Sequence, residues 1–273
     1  MIPDTLRPPP ALCGFLADYV GTFPSSRELP GVMRRPSSVS LARTPSIVQR
    51  QQDCVAVSGA DAYLYELVVQ REVPEPDRLF NDPDFYASWL PSRRKLYWDA
   101  RARSGNERVD GGTRPSAFVL AVNEKGVCAE RWCPYEGLPE ENPLADNDAA
   151  GRLSFDQAGK VELFECRTLD DALDVIAAGH RVLYAAPVYE SMMQVDGETM
   201  YEPSGARMGN HMWQLVGYEN GGALVRMKNQ WPGWGDQHQE ALVRREVLED
   251  KMLVALAFSR VARFSETRRA EAT

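Results

Sequence analysis

His211 and Asn229 lie nine residues on either side of Asn220. Between them Glu219-Asn220-Gly221-Gly222 separates two runs rich in apolar and aromatic residues, Met212 to Tyr218 and Ala223 to Met227. Asn and the two glycines accept the positive φ of a tight reversal, so the stretch predicts a β-hairpin turning near Asn220. In a regular hairpin the two side chains sit opposite each other, close enough to interact. A loop of another length slips the register by one residue and puts them on opposite faces. A His whose tautomer is held by an Asn amide oxygen is the orienting half of a Cys-His-Asn site, whose chemistry is acyl transfer through a thiolate. The same spacing also fits a surface hairpin that carries one His and one Asn.

The partner such a pair needs is a cysteine at a helix start. Ala56, Ala60, Tyr63, Leu64 and Leu67 recur at helical spacing, and Asp53 stands where an N-cap belongs, which makes Cys54 the first residue of a helix. A thiol there lies at the positive end of the helix dipole, and a neighbouring imidazolium favours the thiolate further. An inert buried cysteine is the other reading of the same residue.

Longer patterns surround these residues. Asn210-His211 precedes a run ending in Val216-Gly217-Tyr218, and Lys228-Asn229-Gln230-Trp231-Pro232-Gly233-Trp234-Gly235-Asp236 follows. Together they resemble the His and Asn segments of papain-family cysteine peptidases, with Gln230 where the family usually has Ser. Pro36-Ser37-Ser38-Val39-Ser40-Leu41 is similar to the lead-in of the bacterial-type branch. Ser92 to Arg101 is similar to its Ser-x-x-x-Leu-Tyr-x-x-Ala-Arg helix, and Gly126-Val127-Cys128 with Trp132-Cys133-Pro134-Tyr135 to a further family run. The resemblance covers roughly residues 36 to 262.

The resemblance implies an α+β, papain-like two-lobed fold. A helical lobe over about 46–160 carries the nucleophile, and an antiparallel β-barrel-like lobe over about 161–262 carries His and Asn. The active cleft lies between them, an extended N-terminal segment (1–45) precedes, and a tail (263–273) follows. The implied roles are Cys54 as nucleophile, His211 as acid and base, Asn229 as its orienting residue, and Gln49, with Gln51 as second choice, as oxyanion donor beside the Cys54 N–H. Gly111-Gly112 would line the cleft, with Gly112 pairing with substrate backbone, where only Gly permits close approach. Arg114, Ala185 and Met212 would surround the pocket for the second residue before the scissile bond, and Trp231 would shield the His-Asn contact. The implied activity is a cysteine endopeptidase working through a thioester. The alternatives are an isopeptidase, amidase or transamidase on the same fold, or a catalytically impaired relative that binds peptides or a protein partner. One segment departs from the pattern: Gln49 to Cys54 is one residue shorter than the family's run, has no glycine, and places Asp53 beside the nucleophile where the family has Ser.

Composition agrees with this chemistry and excludes others. With 273 residues, 44% hydrophobic and 26% charged, the chain can bury a sizeable core. A net charge of -8 argues against a nucleic-acid or anionic-membrane partner, and a peptide or protein substrate is expected. No apolar run has signal-peptide or membrane-span length, so a cytoplasmic location is expected, with export by a non-classical route left open. Five cysteines (Cys13, Cys54, Cys128, Cys133, Cys166) and three scattered histidines (His180, His211, His238) have no zinc-site spacing, so neither metal nor cofactor is expected. The resemblance provides no disulfide partners either.

The elements that must position the site follow in order. The first 45 residues, with short apolar pieces such as Leu12 to Val20, are expected to lie extended over the domain with one short helix; a helix broken at Pro91 follows over Tyr86 to Ala102, and a helix from Ala117 to Lys125 is stopped by Gly126. The segment 136 to about 158 crosses over. Then come a strand (Val161 to Arg167), an amphipathic helix (Leu169 to Ala178), a strand (Arg181 to Tyr189), and a polar loop to Arg207 whose Met192, Met193 and Met200 pack the lobe. Glu240 to Leu248 reads as a closing strand or turn, Lys251 to Val261 as a final strand, and Phe264 onward as a frayed end. His180 and His238 read as surface residues.

Overall fold

The computed structural model describes residues 26–31, 35–50, 52–105, 111–135, 161–198 and 202–263. The apolar piece Leu12 to Val20, Cys13, Gln51, the 136 to 158 crossing, Met200 and the end from Phe264 lie outside these residues. Among the described residues no helix is long and apolar enough to cross a membrane.

Helices dominate the first half. α1 (Cys54–Val69) is buried along nearly its whole length, so its apolar residues are not confined to one stripe. Pro91 divides the next helical region as expected, into α2 (Pro83–Trp89) and α3 (Arg93–Arg103). The second is capped by Ser92, whose side chain accepts from the Lys95 N–H at 3.1 Å. α4 (Pro115–Lys125) begins two residues earlier than its apolar pattern suggests, because Pro115 fits the first helical turn. It stops at Gly126, whose φ of 74° suits glycine. Gly59 brings α4 close to α1: a Cβ there would lie 2.3 Å from Phe118 Cζ.

The second half is mostly strand. In chain order the strands are β1 (Ser26–Arg27), β2 (Val39–Ser40), β3 (Glu162–Cys166), β4 (Val182–Tyr189), β5 (Arg207–Glu219), β6 (Leu224–Lys228), β7 (Glu240–Arg244) and β8 (Val254–Arg260). They form one sheet in the order β1-β3-β8-β4-β5-β6-β7, antiparallel except for β1 on β3, with β2 paired to β5. The path is open, with β1 at one end and β7 at the other, rather than closed into a barrel among the described residues. α5 (Leu169–Ala177) opens with a capping box between Thr168 and Asp171. α6 (Arg245–Lys251) replaces the second half of the strand or turn expected to end at Leu248.

Two apolar clusters hold these layers. One joins α1, α3 and α4 to Leu163, Leu183, Ala185, Met212, Leu256 and Phe258 of the sheet. The other joins α5, Leu248 of α6 and four of the tryptophan and tyrosine side chains (Trp213, Trp231, Trp234, Tyr184) to the alternate strand positions. Met192 belongs to it, with Met193 packed at its margin. His180 is not a free surface residue: its Nδ1 lies 3.1 Å from Glu66 Oε1, and its ring meets Phe164 edge-on. Burial pushes the Glu66 carboxyl up, and the imidazole works against that. His238, half-buried, receives no comparable partner from the core; its backbone N–H donates to Asp236.

Candidate active site

The hairpin forms, but not in the simple register. A short 3-10 turn over Asn220–Gly222 joins β5 to β6, and the pairs nearest it are Glu219↔Leu224, Tyr218↔Val225 and Gly217↔Arg226. That turn lies further along the chain than Asn220, by enough to put His211 and Asn229 on opposite faces if the ladder continued unbroken. A bulge between Leu215 and Gly217 takes up one residue, and beyond it the pairing is Leu215↔Met227 and Gln214↔Lys228. The accumulated offset from a turn centred on Asn220 is then two residues, an even number. His211 and Asn229 therefore share a face as diagonal neighbours, with Trp213 level with Asn229.

His211 Nε2 lies 2.8 Å from Asn229 Oδ1. The Gln230 backbone N–H also donates to Asn229 Oδ1, at 2.8 Å. A backbone N–H cannot donate to an amide NH2, so the oxygen of Asn229 faces the ring, and Nε2 must carry the hydrogen. The neutral ring then has its acceptor at Nδ1. Aromatic walls fix its plane: Trp231 lies at 4.4 Å between centroids and Trp213 at 4.7 Å, nearly perpendicular. His211 and Asn229 have no exposed surface.

Cys54 opens α1 and is likewise fully buried. One turn along the helix, Ser58 Oγ donates to the Met212 carbonyl at 2.8 Å, which ties the start of α1 to the residue after His211. Cys54, Met212 and Ala185 belong to the same packed cluster, and Ala185 is the cross-strand partner of Met212, with Ala186 opposite His211.

Gln49 reaches the same place from the segment before α1. Its N–H donates to the Gln230 carbonyl at 2.9 Å, and its Oε1 accepts from Trp231 Nε1 at 3.2 Å. An indole N–H only donates, so the amide oxygen faces Trp231 and the NH2 end is turned away from it. The glycine pair is anchored from α3. The Tyr97 hydroxyl bonds both the Gly111 carbonyl and N–H, at 2.9 and 3.1 Å, and Arg101 Nη1 donates to the Gly112 carbonyl at 2.7 Å. Gly112 is thereby buried with its carbonyl already engaged, and Gly111 is half-buried. Arg114 stands exposed at the N-cap position of α4, where its carbonyl accepts the Phe118 N–H at 3.1 Å and its side chain does not cap the helix.

Several neighbours escape a reading by motif. Asp53 occupies the N-cap position, but its side chain does not cap the helix, a correction to the expected role. Its carboxyl is instead fully buried facing Tyr135, and burial pushes it up to about 7. Gln230 is buried with neither side-chain polar atom hydrogen-bonded. Behind Asn229, Lys228 Nζ donates to Asp61 Oδ2 at 2.7 Å and Thr44 Oγ1 at 3.0 Å. Arg181, the residue before β4, and Gln214 converge on the same carboxylate, so a buried polar cluster joins α1 to β5, β6 and the entry to β4. The signal for that cluster was visible: Asp61 interrupts an otherwise apolar helical run.

No family model and no curated protein matches the chain in sequence. Solved structures do match. Xylellain, a cysteine protease from Xylella fastidiosa, aligns with a TM-score of 0.70 at 18% identity, covering 94% of this chain and 98% of its own. Digestive procathepsin L 3 of Tenebrio molitor larval midgut aligns at 0.55 and 17% identity, over 93% of this chain and 73% of its own. The Carica candamarcensis cysteine protease CMS1MS2 aligns at 0.56 and 18%, over 81% and 97%. The fold of this chain is that of the papain-like cysteine proteases.

Proposed function

We propose that the protein is a cysteine peptidase that hydrolyses peptide bonds through a thioester acyl-enzyme. The observation that carries this reading is the His211 ring, held by Asn229 through Nε2 so that Nδ1 is its acceptor, on a strand tied to the start of the Cys54 helix. Likeness to cysteine proteases over nearly the whole chain supports it. In the proposed reaction His211 Nδ1 takes the Cys54 proton, and the thiolate attacks the amide carbonyl. The developing oxyanion is met by the Cys54 N–H and the NH2 end of Gln49. The imidazolium gives its proton to the leaving amine as the C–N bond breaks. His211 then activates a water that attacks the thioester, and the proton returns to sulfur. Trp231 keeps water from the His-Asn hydrogen bond. Arg114, at the surface before α4, would favour acidic or polar substrate side chains.

The test is intact-mass labelling of Cys54 with iodoacetamide at pH values of about 5 to 9, a range that brackets perturbed thiols. Fast labelling below neutrality that collapses in His211→Ala is the expected result, followed by cleavage of a peptide library. Labelling at the rate of a free thiol, indifferent to His211, would leave a peptide-binding protein as the better reading. The acid beside the nucleophile is the observation that favours this second reading.

A further inference from the structure

The residue before the nucleophile is an acid with no exposed surface. Neither Asp53 oxygen makes a hydrogen bond of ordinary geometry to the described residues, and the donor facing it is the Tyr135 hydroxyl. That hydroxyl accepts the Arg50 N–H at 2.9 Å, so its own hydrogen is what it can offer Asp53. Among the described residues no cation bonds the acid directly. Arg93, from α3, lies 4.2 Å over the Tyr135 ring, but its guanidinium is committed to Glu130 at 2.9 Å and to the Val48 carbonyl at 3.1 Å. Glu130 in turn accepts the N–H groups of Arg93 and Tyr135. The titratable groups facing Asp53 are therefore Tyr135 from the segment after Trp132, Arg93 from α3 with its charge neutralised by Glu130, and Cys54 from its own helix. Burial is the largest influence on the Asp53 carboxyl and raises it; Tyr135 lowers it, a Cys54 thiolate raises it, and Arg93 lowers it.

A buried carboxylate and a thiolate on adjacent residues repel each other, and the site can readily hold only one of the two negative charges. We propose that Asp53 is a positioning residue for the nucleophile's proton: it stays a neutral carboxylic acid, facing the Tyr135 hydroxyl, in the reactive form, and its ionisation sends the proton of the Cys54-His211 pair back to sulfur. In balance, Asp53 releases one proton to solvent, and the His211 imidazolium passes one to the Cys54 thiolate, leaving thiol, neutral imidazole and carboxylate. The inference rests on the peptidase reading and adds to it a fall in Cys54 labelling on the alkaline side, which loss of the His211 imidazolium proton to solvent, leaving the thiolate in place, would not produce. The size of the effect follows from charge proximity. A unit charge on a neighbouring side chain, at an effective dielectric of about 20, alters thiol ionisation by roughly tenfold or more, part of which the imidazolium takes back.

The experiment measures the iodoacetamide labelling rate of Cys54 across the same pH range in wild type, Asp53→Asn, Tyr135→Phe and the double variant, with His211→Ala as control. In wild type the His211-dependent rate should fall severalfold as pH passes about 7, before the free-thiol reaction takes over. Asp53→Asn should hold its rate through that interval. Tyr135→Phe removes the hydroxyl that stabilises the carboxylate, so its fall should come at higher pH, and the change should vanish in the Asp53→Asn background. A wild-type profile that superimposes on that of Asp53→Asn, with His211 dependence intact, overturns the inference while leaving the peptidase reading standing. Labelling independent of His211 in every variant overturns both. If Asp53→Asn does not fold, Tyr135→Phe decides alone, and an unmoved profile counts against the proposal.

Discussion

Removing the Asp61 carboxylate should be among the costliest single changes in the protein. Its Oδ2 accepts Lys228 Nζ at 2.7 Å, Gln214 Nε2 at 2.8 Å and Arg181 Nη1 at 3.2 Å, and its Oδ1 accepts the Thr44 hydroxyl. All five residues are buried, and two cations share one anion. Asp61→Ala leaves both cations in the interior without the carboxylate they share, a loss of about 3–5 kcal/mol for a broken buried pair. At roughly 2–4 °C per kcal/mol for a chain somewhat shorter than this one, the melting temperature drops by about 10 °C. Lys228→Met should cost less, about 1–2 kcal/mol, because Asp61 and Arg181 remain as a neutral pair. Burial, with the like charge of Arg181, already depresses the Lys228 ammonium against the pull of Asp61. Burial acts to raise the Asp61 carboxyl, but Lys228 and Arg181 outweigh it and hold it below its ordinary value. Asp61 therefore stabilises the fold above the ordinary carboxylate range, and that contribution is lost as pH falls through its lowered value. The gap between wild type and Asp61→Ala should be flat from about pH 5 to 8 and close below about pH 4. Urea denaturation followed by circular dichroism measures both costs and their pH dependence, and a thermal melt measures the temperature shift. A cost below about 1 kcal/mol, or one smaller than that of Lys228→Met, would refute the reasoning.

Other outcomes follow from single contacts. Asn229→Ala strips the acceptor from His211 Nε2 and frees the ring to turn, which should lower His211-dependent labelling of Cys54 by about a hundredfold with the fold intact by circular dichroism. Gly59→Ala drives a methyl into Phe118 and should destabilise by about 1–3 kcal/mol in urea, while Gly179→Ala, with nothing within 4 Å, tests backbone strain alone. Asp53→Asn should stabilise the protein at alkaline pH. The raised carboxyl takes up a proton on folding, so wild-type stability falls as pH rises from about 4 to 7, by up to about 4 kcal/mol, and the Asn variant lacks that fall. Guanidinium melts at pH 4.5, 6 and 8, with the two proteins nearly equal at the first and separated at the last, check the sign.

Local patterns were enough for most of the elements that carry the site. The spacing of Ala56, Tyr63 and Leu67 placed a helix whose first residue is Cys54, and Pro91 divided α2 from α3, because a proline's missing N–H acts wherever it stands. What escaped depended on partners distant in sequence. Asp53 looked like an N-cap because the residue type suits one, yet its carboxyl faces Tyr135, across a loop no local rule connects to it. His180 looked exposed because nothing near it in sequence is its partner; Glu66, on a helix formed far earlier, is. The start of α6 looked like strand or turn because seven residues are too few for a periodicity to declare itself.

The hairpin shows how a right pairing can follow from a wrong register. Symmetry about Asn220 put His211 opposite Asn229, whereas the turn sits further along and the bulge at Val216 absorbs one residue. Either departure alone is an odd displacement that would have sent the two side chains to opposite faces. Together they leave an even offset, and the hydrogen bond forms on the diagonal instead of straight across. The bulge is thus a requirement of the site, not an imperfection in the sheet. Deleting Val216 should keep both strands and the apolar pattern of one of them, yet separate His211 from Asn229. Such a deletion variant that folds and still labels Cys54 as fast as wild type below neutrality would show that the His-Asn contact contributes nothing to the thiolate.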